Sequence, residues 1–86
     1  MRYRATPDFC YHYRQLPSEI QKLADRCYEI LKQDSRYPSL HFKQVGQFRS
    51  VRVGLHYRAL AVEEEGEIAW FWIGTHAEYD QLLRGG

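Results

Sequence analysis

Cysteine is scarce in this chain: of 86 residues only Cys10 and Cys27 carry a thiol. They have no close cysteine partner and no metal-like spacing to the four histidines, which argues against a disulfide framework and a zinc site. Both read as small buried helix residues. Long apolar runs are also lacking. The longest, the six residues Ile68 to Ile73, is far too short to cross a bilayer as a helix, and no charged-then-apolar leader opens the sequence. A cytoplasmic protein without membrane contact is the expectation. Repeats, low-complexity tracts and long linkers are missing too, so residues 1–86 are expected to form one domain around one core. Net charge is nearly absent: twelve Lys or Arg against eleven Asp or Glu leave +1. Taken alone, that figure argues against a partner of strong negative charge.

The distribution of those charges reverses the argument. Met1 to Arg58 holds eleven Lys or Arg and five acids, net +6, whereas Ala59 to Gly86 holds one Arg and six acids, net −5. The 28 residues from Ser35 to Val62 contain no acid, yet they carry Arg36, Lys43, Arg49, Arg52, Arg58, His41 and His56. A one-sign stretch creates a local field that the total conceals, and local field governs attraction to phosphates. The acids Glu63, Glu64, Glu65 and Glu67 read as a solvated turn. Thirteen aromatic residues supply the large buried areas that a small core needs.

Met1 to Ala5 has the alternation of an edge strand. Thr6-Pro7-Asp8 then offers an N-cap, a proline at the first helical position and an early acid. Phe9, Tyr13 and Leu16 recur at helical spacing, and Pro17 restarts the helix. In this second helix Ile20, Leu23, Ala24, Cys27, Ile30 and Leu31 form one apolar stripe, with Lys22, Asp25, Arg26, Glu29 and Lys32 on a solvated face. After Tyr37-Pro38 the period changes. Leu40–Val45, Phe48–Val53, Tyr57–Val62 and Ile68–Ile73 read as an antiparallel meander, with Gly46, Gly54 and Gly66 in its turns. Thr75 to Leu83 closes with a short helix. The class is α+β: a helical layer on one face of a four- or five-stranded sheet, the other face partly open.

If Gly54-Leu55-His56 is a three-residue hairpin loop, Arg58 stands directly opposite Arg52, Val51 faces Ala59 and Val53 faces Tyr57. The small and β-branched residues then share the helix side and both arginines the other. Opposed like charges cost a few tenths up to about 1 kcal/mol unless an anion or carboxylate neutralises them. Two arrangements satisfy this: an anion held between the guanidinium groups, or both splayed into solvent with their stems on apolar surface. Strict alternation places Trp70 and Trp72 together on one face, against bases, a partner or core, and Phe71 with Ile73 in the core. His76 and Tyr79 follow immediately.

Three motifs, in this order, resemble the RelE/ParE superfamily of bacterial type II toxins. They are Tyr13-Arg14-Gln15-Leu16-Pro17 leading into the long helix, Ser50-Val51-Arg52-Val53-Gly54-Leu55-His56-Tyr57-Arg58-Ala59-Leu60, and Trp72-Ile73-Gly74-Thr75-His76-Ala77-Glu78-Tyr79. The resemblance covers nearly the whole chain. It implies a RelE-like β-α-α-β-β-β toxin neutralised by a cognate antitoxin. In the family's ribonuclease branch, such a toxin cleaves mRNA in the ribosomal A site without a metal or other cofactor. By this match Arg58 takes the Tyr-Arg position, Arg52 a basic position of the preceding strand, His76 the Arg-or-His position after the glycine, and Tyr79 lies near a C-terminal tyrosine. Lys43 falls near the basic residue opening the second strand. Where family ribonucleases carry several lysines on these strands, Ser50 and Gly54 stand here.

Attack of a 2′-hydroxyl on the adjacent phosphate needs a base, cations for the phosphorane and an acid for the departing oxygen. Arg52 and Arg58 suit the phosphate oxygens. His76 is the expected general acid or base, Tyr79 a stacking or proton-transfer group, and Lys43, Arg49 and His56 further phosphate contacts. No carboxylate on the cationic strands offers itself as base. Two other functions fit the same resemblance: a non-catalytic ParE-type toxin acting on DNA gyrase, and a RelE-like domain that only binds a partner protein.

Overall fold

A computed structural model describes residues 2–85 of the chain. Thr6 Oγ1 accepts the Phe9 N–H (3.2 Å) and donates to the Trp70 carbonyl (2.9 Å), so one hydroxyl both caps helix α1 (Pro7–Arg14) and ties it to the sheet. Helix α2 (Ser18–Gln33) follows Pro17 and turns Leu23, Ala24, Cys27, Ile30 and Leu31 inward. Burying one such side chain, Leu31 at 3% exposure, contributes roughly 1.5–3 kcal/mol. The charged face of α2 is exposed, as its spacing predicts.

The sheet has the order β1-β5-β4-β3-β2. Strands β2 (Lys43–Val45), β3 (Phe48–Val53), β4 (Tyr57–Glu64) and β5 (Glu67–Thr75) form the expected meander. Strand β1 (Arg2–Ala5) adds parallel to β5, from Arg2 opposite Glu67 to Ala5 opposite Trp70. Met1, assigned to this strand from sequence, lies outside the described residues. Strand β2 is shorter than the Leu40–Val45 run. Pro38–Leu40 is a 3₁₀ turn, and His41 adopts the left-handed conformation (φ 48°), so pairing starts only at Lys43.

Alternation fails in β5. Leu60 pairs with Trp72 and Ala61 with Trp70, leaving Phe71 as the extra residue of a β-bulge. The two tryptophans therefore part. Trp70 joins Ile73, Val51, Val53, Ala59 and Ala61 under the helical layer, whereas Trp72 joins Leu60 and Tyr79 on the opposite side. Phe71 packs with that second group, not in the main core. Helix α3 (His76–Gly85) supplies Tyr79 and Leu83 to it, so the second sheet face is partly roofed. Thr75 and Glu78 start α3 with a reciprocal capping box. The Thr75 N–H donates to Glu78 Oε1 (2.9 Å) and the Glu78 N–H donates to Thr75 Oγ1 (3.1 Å).

Candidate functional site

The β3–β4 register is the one the hairpin loop predicts: Val51 opposite Ala59, Arg52 opposite Arg58, Val53 opposite Tyr57. The valines and alanine enter the main core, which leaves both arginines on the face opposite α1 and α2. Lys43, opposite Ser50, shares that face, and Gly74 on β5 stands opposite Arg58. A β-carbon at Gly74 would lie 2.5 Å from the Trp72 ring and 2.8 Å from Glu78 Oε1, so only glycine lets Trp72 pack and α3 start beside Arg58.

Among the described residues each guanidinium makes one hydrogen bond and no ion pair. Arg52 Nη1 lies 3.2 Å from His41 Nε2, and its Nε is enclosed without a partner. Arg58 Nη1 donates to the Tyr57 carbonyl at 2.8 Å. Among the described residues no carboxylate lies within 4.0 Å of either arginine. The acidic turn is engaged elsewhere: Glu67 pairs with Arg2 (3.5 Å) and Arg4 (2.9 Å), and Glu63 pairs with Arg49. Two of its four acids thus neutralise cations and are more than solvated surface.

The structure separates the sequence-predicted residues into two groups. Arg52, Arg58 and Lys43 share one face. His76 begins α3, is exposed, and its N–H donates to the His56 carbonyl (2.7 Å), so both histidines sit at the hairpin end of the sheet, next to the Arg58–Gly74 pair. His76 Nε2 stands 3.8 Å from Asp80 Oδ2. Arg49 belongs to the other group: opposite Ala61 and paired with Glu63, it faces the helix side. Tyr79 is only 7% exposed, and its hydroxyl lies 3.0 Å from Ser50 Oγ, a buried pair that pins α3 to β3. Its ring is covered, so it supports the site from below and offers no face to a base. Ser50, where a cation was expected, is the hydrogen-bond partner of this tyrosine.

His41 was missed as a site residue. Its signals were membership of the acid-free stretch and proximity to Lys43; its left-handed backbone and its contact with Arg52 appear only in three dimensions. Glu78 is held below the usual carboxylate range, first by the Thr75 N–H, then by the Thr75 hydroxyl, with His12 adding a smaller attraction. Among the described residues no group of three or more His, Cys, Asp or Glu is placed to hold a metal ion. No described helix is long and apolar enough to cross a membrane.

A family model described as a ParE-like toxin domain matches residues 18–81. No curated protein matches the chain in sequence. Among solved structures, the RelB–RelE antitoxin–toxin complex from Methanococcus jannaschii aligns with a TM-score of 0.70 at 15% identity, covering 95% of this chain and 98% of that one. YafQ from E. coli strain BL21(DE3) aligns with a TM-score of 0.68 at 12% identity, covering 92% and 98%. At these identities the likeness is one of fold, and it spans the helical layer and the whole sheet.

Proposed function

On the premise that the chain belongs to the ParE-like toxin domain family, as a toxin of the RelE/ParE type, we propose that its Arg52/Arg58 face binds RNA phosphate and that the protein cleaves mRNA on the ribosome without a metal. The observation that carries this reading is the cross-strand arginine pair with no carboxylate beside it. An opposed pair of this kind is relieved by an anion, and two guanidinium forks match the oxygens of one phosphate. In the reaction the 2′-oxygen bonds to phosphorus, the 5′-oxygen leaves, and a 2′,3′-cyclic phosphate forms. Arg52 and Arg58 stabilise the added charge on the phosphorane; His76 exchanges the proton at one of the two oxygens, and solvent water exchanges it at the other. Lys43 and His56 extend the phosphate track. Residues 1–86 act as one toxin domain in the cytoplasm, where ribosomes and mRNA meet. A cognate antitoxin covers it, a reading supported by the RelB–RelE complex among its structural relatives.

The test pairs growth arrest on expression with cleavage of translated mRNA, with and without ribosomes. Replacing Arg58 by Ala is expected to lower cleavage by about 10²–10³-fold while the fold survives, and His76→Ala to lower it also. Arrest that persists in the folded Arg52→Ala/Arg58→Ala variant overturns the assignment and points to a non-catalytic toxin acting on DNA gyrase. A wild-type chain that never arrests growth points to a domain that only binds a partner.

A further inference from the structure

On the far side of the sheet from the arginines, a cavity of about 260 Å³ lies between the helical layer and the strands. Its walls are apolar: Phe9, Tyr28, Leu31, Val53, Trp70 and the Cys27 thiol, which burial pushes above its ordinary pKa. An engineered apolar cavity of about 150 Å³ holds benzene, so this one has room for a fused two-ring body. One acid interrupts the wall. Asp25 lines the cavity yet is exposed, which puts it at the mouth, and it receives only the Tyr13 hydroxyl, at 2.8 Å to Oδ1. Among the described residues no Lys, Arg or His nitrogen lies within 4.0 Å of it.

We infer that this cavity is a ligand site for a small amphiphile with an apolar two-ring body and a cationic amine head. The body fills the space under α1 and α2, and the head pairs with Asp25 through Oδ2, to which none of the described residues donates. Charge complementarity selects the head: a carboxylate beside apolar walls attracts an ammonium, accepts a hydroxyl and repels a carboxylate. The proposal is independent of RNA cleavage, since the two sites lie on opposite faces of the sheet.

The probes are 2-naphthylmethylamine, 2-naphthylmethanol and 2-naphthoate, titrated into ¹⁵N-labelled full-length protein. The indole cross-peaks of Trp70 and Trp72 provide the readout and its internal control. Expected are shifts of the Trp70 peak alone, with the amine about fivefold tighter than the alcohol, the size of one partly exposed ion pair, and the naphthoate weakest. Asp25→Asn should bring the amine and alcohol affinities together while the alcohol still binds, and Cys27→Phe, which fills the cavity, should abolish binding of all three. Should that variant fail to fold, nuclear Overhauser contacts from the bound alcohol to the methyl groups of Leu31 and Val53 locate the ligand instead. The inference is overturned if no probe moves the Trp70 peak at millimolar concentration. It is equally overturned if the three probes bind alike, if the amine preference survives Asp25→Asn, or if the contacts fall elsewhere. Probes that bind only with a second copy of the chain would show an interface between copies and overturn it too.

Discussion

Gly54 shows how one position serves two demands. Its backbone is left-handed (φ 67°) to turn the β3–β4 hairpin, and a β-carbon there would stand 2.7 Å from Leu23 Cδ2 on α2. Through Leu23, α2 rests directly on the loop between the two arginines. Gly54→Ala is expected to destabilise the protein by about 1–2 kcal/mol, through backbone strain and displacement of Leu23, measured as a lower denaturant midpoint. The same geometry explains why no lysine stands there. The arginine pair was legible because a three-residue loop admits one register. Arg49 belongs to the same acid-free run as the arginine pair, yet alternation groups it with Val51 and Val53, and it stands on the helix side, paired with Glu63.

At the scale of elements, α3 was legible as a short helix, and its start is written in Thr75-x-x-Glu78. The bulge that splits Trp70 from Trp72 was not. Six apolar residues in a row carry no period, and neither Gly nor Pro marks the extra residue at Phe71. Without the bulge, the second core beneath α3 could not be foreseen. The capping box makes the attachment of α3 sensitive to acid. Because the folded state holds Glu78 below its ordinary pKa, its contribution is fully present above that ordinary value and is lost as pH falls through the lowered one. Glu78→Gln should therefore flatten the acid limb of stability against pH, and Thr75→Ala should cost about 1 kcal/mol at neutral pH. Thermal melts from pH 3 to pH 7 read both, and an unchanged acid limb in Glu78→Gln contradicts the assignment.

Across the whole molecule, the split of charge into +6 and −5 survives folding in a sharpened form. The acidic turn between β4 and β5 engages Arg2, Arg4 and Arg49, which leaves Arg52, Arg58 and Lys43 without an ion-pair partner among the described residues. Three cations make a small electrostatic footprint. For single-stranded RNA, the slope of log affinity against log salt is expected to be roughly −2, and Arg58→Ala should reduce its magnitude by about 0.7. Fluorescence anisotropy between 50 and 200 mM salt measures it, and a slope near zero would remove phosphate from the account.

Strand β1 governs when this molecule takes shape. Arg2 pairs with Glu67, so the outer edge of the sheet closes only when two segments far apart in sequence meet. Contacts of such long sequence separation form slowly. Until β5 is in place the apolar stripe of α2 has neither Trp70 nor Ile73 to cover it, and the hairpin bearing Arg52 and Arg58 lacks the strand that backs it. The arginine face is finished only once β5 has paired with β4.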